Sequence, residues 1–329
     1  MPKNNMQLIY KKLIALGFSK NQIKKQLPDW WCDEIATTPA GLQQAELITA
    51  RTFGLEFSSL HDSLQDDSLP KFRVSQHQFK HSKNLQKDRL QPAVATAMFA
   101  ADITLSAFDQ PVGNLPKTAM QVRQTVLTNH QWVDFYALAD FCWSVGIPVI
   151  HLANLPTPKM DGLAFIKQNR PVIVLTKKNK HGALVFDLAH ELGHILLGHV
   201  QEKQIILDKK IDKTDDSDLE QQADAFALEL LTGDPKAQFA TSKSYSPQGL
   251  AQAMIAKGLE MQIDPLHMVL NYAYVNQKFA LAQTALKIMT KKLVNQQTDQ
   301  QIAQSLYLHY VDMQSIDDDE IVKYLIGVE

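Results

Sequence analysis

The chain has 329 residues, of which 45% are hydrophobic and 21% are charged, and its formal net charge at pH 7 is −2. This length is enough for two domains or for one large domain with extensions, and the nearly balanced charge gives no overall signal for nucleic acid. The chain has no run of 18 apolar residues, and its two distant cysteines, Cys32 and Cys142, form no CxxC motif. We therefore expect a cytoplasmic protein with unpaired cysteines and no transmembrane helix.

Residues 1–60 are predicted to form an N-terminal helical module. Gly17 ends a first amphipathic helix, Ser19 is a good N-cap for a second, and a third is predicted to begin at Pro39. Positions 1–29 hold six lysines against one acidic residue. This pattern permits a helix-turn-helix interpretation with weak nucleic-acid binding, although we favour a helical cap with a solvated lysine face.

Residues 61–90 show no hydrophobic periodicity and are predicted to be a basic linker or a long loop. His77 and His81 have i, i+4 spacing there. No carboxylate or cysteine accompanies them at ligand spacing, so we do not assign them a metal.

Residues 91–280 are predicted to form the core, and residues 281–329 a C-terminal helical extension. Short extended runs at 147–152, 163–167 and 172–176 predict a small sheet before an apolar helix. The helices predicted around these runs and after them lie near 92–106, 117–128, 131–145, 247–258, 265–276, 280–294, 298–310 and 318–326.

Residues 190–194 read His-Glu-Leu-Gly-His, an HExxH motif inside the apolar helical stretch Val185–Leu197. Positions i and i+4 of a helix lie about 40° apart around its axis, so His190 and His194 share a face and can bind one ion. Glu191 is offset by about 100°, beside that ion, where a general base for a bound water belongs. The motif therefore predicts a zinc site with Glu191 as the catalytic base.

A catalytic zinc site needs a third protein ligand, and two routes could supply it. The metzincin route requires Gly at position 197 and His at position 200, but the chain has Leu197 and Val200 there. His199 would lie about 140° from His194 if the helix continued, so it would point elsewhere. We expect His199 to be a polar residue near the helix end, with Gly198 as the stop.

The second route uses a carboxylate from a following helix. Residues 217–231 form a clear amphipathic pattern with Ser217 or Asp218 as N-cap. Glu220 and Asp224 are i, i+4 and share a face that borders the apolar stripe. We expect Glu220 to bind the metal and Asp224 to accept the spare N–H of a ligand imidazole. The alternative is that Glu220 and Asp224 are ordinary solvated charges. Their position after the HExxH helix disfavours this alternative.

These two helices resemble those of the ImmA/IrrE-type metallopeptidases. The residues that carry the likeness are Phe186–Leu197, then Glu220-x-x-Ala223-Asp224-x-Phe226-Ala227, and before them Gly146–Ile150, Asp161–Ala164 and Pro171–Leu175. The likeness covers roughly residues 130–275. It departs at Val185, where the family often has a basic residue.

The resemblance implies that His190, His194 and Glu220 are the zinc ligands, that Glu191 is the base, and that Asp224 supports a ligand histidine. It also implies a regulatory endopeptidase whose protein substrate is a helix-turn-helix transcriptional repressor encoded nearby. The expected fold is α+β and mostly helical. It has a small β-sheet packed on an HExxH zincin helix pair, with additional N- and C-terminal helices.

A donor for the tetrahedral oxyanion is also expected, and the spacing of the chain does not choose among several. The candidates are His181, Tyr245, His267, Tyr272, Tyr274, Arg170 and backbone amides.

Two other functions stay open. A DNA- or protein-binding regulator would use the basic N-terminal helices and a structural or sensory zinc site, but such a site has no use for Glu191 beside the metal. A self-processing or toxin-system component would be cleaved within residues 61–90. No membrane partner is expected, and the oligomeric state stays open.

Overall fold

The computed structural model describes residues 5–73, 79–80, 87–178, 182–200, 205–208, 218–241, 243–293 and 297–328. Within these ranges it contains fourteen α-helices and five short β-strands, which confirms the expected mostly helical α+β fold. The chain divides into two compact units. One is formed by Met1–Asp109, Leu152–Met160 and Val311–Glu329, and the other by Gln110–His151 and Asp161–Tyr310. None of the helices in these described ranges has the length and apolar character of a membrane span.

The first unit is mainly helical. Its elements are α1 (Asn5–Leu16), α2 (Lys20–Lys25), α3 (Pro39–Thr52), α4 (Phe57–Ser63), β1 (Phe79–Lys80), α5 (Lys87–Ser106) and α14 (Asp319–Ile326), with 3₁₀ turns at Asp33–Thr37 and Met313–Ser315. Ser19 caps α2 through a capping box with Gln22, as the sequence predicts. The segment 61–90, predicted as a linker or long loop, contains the end of α4 and the start of α5. His77 and His81 lie outside the described residues.

One lysine of this unit departs from the expected solvated face. Lys12 is buried, and its ammonium group donates hydrogen bonds to the backbone carbonyls of Asp66 and Ser68. A buried charged group needs such partners. Lys12 therefore stabilises the segment that follows α4 and does not belong to a solvated lysine face. The other described lysines of α1 and α2 are exposed.

The second unit combines helices with a small sheet. Its elements are α6 (Ala119–Leu127), α7 (Phe135–Ser144), β2 (Val149–His151), β3 (Gly162–Lys167), β4 (Arg170–Leu175), α8 (Leu184–Leu196), β5 (Ile205–Asp208), α9 (Asp218–Thr232), α10 (Pro247–Met261), α11 (Pro265–Asn276), α12 (Phe279–Leu293) and α13 (Asp299–Tyr310).

Four strands of this unit lie in the order β5-β3-β4-β2. Strand β3 runs antiparallel to both β4 and β5, and β2 runs parallel to β4. Gln168 and Asn169 join β3 to β4 with φ angles of 51° and 60°, as a two-residue hairpin with left-handed central residues requires. Helix α8 packs on β3 and β4. No sequence pattern predicts β5, because a run of three apolar residues carries too little periodicity.

A buried arginine fixes the far end of α9. The Arg123 guanidinium donates to the carbonyl of Leu231 at 2.8 Å, near the end of α9, and to the carbonyl of Gln262 at 2.7 Å, just after α10. Carbonyl groups at helix ends lack intrahelical donors, so one cation satisfies two helix ends. This contact anchors the helix whose first turn carries Glu220.

Candidate metal centre

Helices α8 and α9 pack closely because residue 193 is a glycine. A Cβ atom at Gly193 would lie 3.1 Å from a ring carbon of Phe226 and 3.3 Å from its Cβ, which is tighter than ordinary van der Waals contact. Gly193 occupies one of the two variable positions of the HExxH motif. Its lack of a side chain lets α9 approach until the first turn of α9 reaches the imidazoles of α8.

Three potential ligand atoms converge between these helices. His190 Nε2 and His194 Nε2 are 3.0 Å apart, while Glu220 Oε2 lies 3.2 Å from His190 Nε2 and Glu220 Oε1 lies 3.5 Å from His194 Nε2. Tetrahedral ligands at about 2.0–2.1 Å from zinc are separated by roughly 3.3 Å, so the separations among these two nitrogens and the Glu220 carboxylate fit the ion. No other group of His, Cys, Asp and Glu in the described part of the chain offers such a set.

The carboxylate of Glu220 is held in its ionised form. Partial burial acts to raise the pKa of Glu220, but hydrogen bonds with His190 and His194 lower this pKa well below its usual range. An ionised carboxylate beside two imidazoles is the His₂Glu donor set of catalytic zinc sites.

Glu191 lies on the neighbouring face of α8, fully buried against the start of β3. A Cβ atom at Gly162 would stand 2.1 Å from Glu191 Oε1, so only glycine leaves space for this carboxylate.

One helical turn earlier, Asp187 pairs with Lys177 at 3.2 Å, and Lys177 also pairs with Asp161 at 3.1 Å. These ion pairs link the first turn of α8 to the ends of β3 and β4.

Asp224 lies where the sequence analysis expects it. Its Oδ1 atom is 2.9 Å from Nδ1 of His190, on the side of the ring opposite Nε2. A proton on Nδ1 would therefore be donated to Asp224, and Nε2 would keep its lone pair for a cation. Four of the predicted site residues thus converge, namely the three potential ligands and Asp224, with Glu191 on the adjoining face.

His199 follows the end of α8, as the sequence analysis expects, but its ring does not point away from the metal centre. It is 5% exposed, and its Nδ1 atom lies 3.0 Å from Nδ1 of His194. The angle of 140° would hold only if the helix continued, but α8 ends at Leu196 and Gly198, the predicted stop, takes a φ of +73°, which reverses the chain. The glycine was the available signal, since a left-handed residue after a helix folds the next side chain back onto the last turn.

The oxyanion candidates are scattered over the second unit. His181 lies outside the described residues. The Arg170 guanidinium donates to the carbonyls of Gln110 and Gly146, and Tyr274 is 65% exposed. Tyr245 and Tyr272 pack edge to face on each other.

His267 is the oxyanion candidate that contacts α8. It is buried and stacks on Phe186, with ring centroids 6.1 Å apart. Burial lowers the pKa of His267 to about 4, so its imidazole is neutral at physiological pH.

Comparison with known proteins identifies one family. Residues 145–252 match a family model described as Peptidase_M78, the IrrE N-terminal-like domain. The matched segment contains β2 to β5 together with α8 and α9, and it confirms the ImmA/IrrE-type resemblance. No curated protein and no solved structure matches the chain.

Proposed function

We propose that this chain, whose residues 145–252 carry an IrrE N-terminal-like peptidase domain, is a zinc-dependent endopeptidase that cuts a protein substrate. The observation that carries the proposal is the convergence of His190 Nε2, His194 Nε2 and the Glu220 carboxylate, at separations of 3.0 to 3.5 Å, with Glu191 buried on the adjoining face of α8. A structural zinc site is usually closed by four protein ligands. Three ligands and an adjacent carboxylate favour catalysis.

In this proposal His190, His194 and Glu220 hold the ion, and zinc is favoured because two imidazoles and a carboxylate with an open position suit it. When bound, zinc would lower the pKa of a water molecule from ~15.7 toward ~7 and polarise the carbonyl of the scissile bond. Asp224 would keep His190 in the tautomer whose Nε2 lone pair faces the ion.

Glu191 supplies the proton transfers. Its carboxylate would accept a proton from the attacking water and return that proton to the amine of the leaving peptide. Because Gly162 and the surrounding core confine the carboxylate, it has little freedom to turn away from this position. A positioned base of this kind contributes to the rate without moving during the reaction.

We further propose that the substrate is a helix-turn-helix repressor, so that cleavage regulates transcription. The resemblance to ImmA/IrrE-type metallopeptidases supports this substrate class. We place the protein in the cytoplasm, since Cys32 and Cys142 are free.

Co-expression with the repressor encoded beside the gene tests this proposal. Wild type should cut the repressor into fragments that mass spectrometry can identify. Glu191→Gln should reduce cleavage by at least about 100-fold, because it removes the base, while zinc content stays unchanged. Glu260→Gln, an exposed change on α10, is the control and should cleave normally. Equal cleavage by wild type and Glu191→Gln would contradict the proposal.

A further inference from the structure

The end of α8 brings a third histidine into contact with the metal centre. The backbone N–H of His199 donates to the carbonyl of His194 at 2.9 Å, which closes the turn at Gly198. This turn places the His199 ring edge to face on the His194 ring, with centroids 5.2 Å apart. Both rings are buried, so a hydrogen bond between them is shielded from competing water.

The contacts of these rings form a chain with one consistent direction. His194 Nδ1 lies 3.0 Å from His199 Nδ1, and His199 Nε2 lies 3.4 Å from Oε1 of Gln222 on α9. An amide oxygen only accepts, so the His199 proton belongs on Nε2. The His199 Nδ1 atom is then an acceptor, and it requires the His194 proton to be on Nδ1. This leaves the lone pair of His194 Nε2 facing His190 and Glu220.

We infer that His199 and Gln222 are positioning residues that hold His194 in its metal-binding tautomer. The inference rests on the proposed zinc site and extends it to residues outside the ligand set. In the opposite tautomer, His194 would point an N–H at His190 Nε2 and leave two acceptor nitrogens facing each other at its Nδ1. That arrangement loses a buried hydrogen bond and blocks the ligand atom.

The two ligand histidines are therefore supported in different ways. His190 contacts a carboxylate, Asp224, whose side chain is 52% exposed, whereas His194 contacts the imidazole of His199, which is 5% exposed. Glu220, Gln222 and Asp224 all lie on the first turns of α9. Helix α9 thus supplies the potential ligand Glu220. It also supplies Asp224, which contacts His190, and Gln222, which contacts His199.

Zinc affinity of a matched pair of variants tests this inference. Asn and Leu have similar shapes, but only Asn carries an oxygen one bond beyond Cγ, where the imidazole has Nδ1. His199→Leu should weaken zinc binding about 10- to 100-fold, while His199→Asn should stay within a few-fold of wild type. Binding is measured by competition with a chromophoric chelator, and melting of the zinc-free proteins reports on packing.

Gln222→Ala should weaken zinc binding less than His199→Leu, since its contact is longer. Gln221→Ala, an exposed neighbour on α9, is the control and should bind like wild type. The inference is overturned if His199→Leu binds zinc as wild type does, or if Asn and Leu weaken binding equally. If wild type itself bound no zinc, the proposed function would fall as well, whereas normal binding by His199→Leu removes only this inference.

Discussion

Gly162 controls where the Glu191 carboxylate can lie. Gly162 on β3 contacts Glu191 on α8 where the helix packs on the sheet. A methyl group at position 162 would overlap Glu191 Oε1, which is 2.1 Å from the Cβ position. The backbone at Gly162 has no left-handed φ, so the requirement for glycine comes from this contact alone. The residue is therefore tied to the chemistry of the site more than to the folding of the strand.

If Glu191 is the base, as proposed, Gly162→Ala should lower the rate of cleavage by roughly 100-fold, because it would displace the Glu191 carboxylate by about 1 Å. Zinc content should be unchanged, since the potential ligands do not contact Gly162. Gly113→Ala is the matched control, because its new methyl group would meet only one atom, at 3.9 Å. Steady-state cleavage of the repressor is the measurement, and normal activity of Gly162→Ala would contradict this role.

At the level of the elements, three helices of the second unit begin with an aspartate that is buried or half-buried. Asp134 and Asp264 are the N-caps of α7 and α11, and Asp299 is the first residue of α13. Burial raises the pKa of Asp264 to about 7, and the charges of Asp134 and Asp299 add to this effect against the backbone hydrogen bonds that lower it. Three helix starts therefore share an environment that disfavours a full set of ionised carboxylates.

The titration of Asp264 should by itself add stability to the folded state as the pH falls from 7 towards 4. The folded state binds a proton at Asp264 below pH about 7, whereas the unfolded chain binds it only near pH 4, so the stability is lost as the pH rises through 7. The slope for one such group is at most about 1.4 kcal/mol per pH unit. Urea denaturation of the zinc-free protein at several pH values measures it.

Asp264→Asn is the matched variant, because Asn also caps helices but does not titrate. The unfolding free energy of wild type minus that of Asp264→Asn should increase as the pH falls from 7 towards 4, because His267 and the other titrating groups are present in both proteins. Identical pH profiles for the two proteins would show that Asp264 keeps an ordinary pKa.

Over the whole molecule, local patterns predicted most of the structure. The HExxH spacing and the amphipathic stretch after it predicted that His190, His194, Glu220 and Asp224 lie close together, because i, i+4 geometry is set by the helix itself. The short strands β2 to β4 also follow from local composition. His199 and Lys12 were misjudged, since their burial depends on where the chain turns and on distant carbonyls.

Other features depend on pairing between distant segments. Strand β5 forms because it pairs with β3, with Gly162 opposite Asp208. Its four residues alone give no local indication of that partner. The anchoring of α9 by Arg123 spans more than 100 positions of the chain. The segments Leu152–Met160 and Val311–Glu329 belong to the first unit. No periodicity in the sequence indicates that assignment.

The central claim is that α8 and α9 together hold a metal ion, and the zinc content of Glu220→Gln tests it most directly. Glu229→Gln, on the same helix but away from the converging atoms, is the matched control. Elemental analysis of proteins dialysed against a weak chelator should find about one zinc ion per chain in wild type and in Glu229→Gln, and a large loss in Glu220→Gln. A wild-type protein without zinc, or a Glu220→Gln variant that keeps it, would contradict the account.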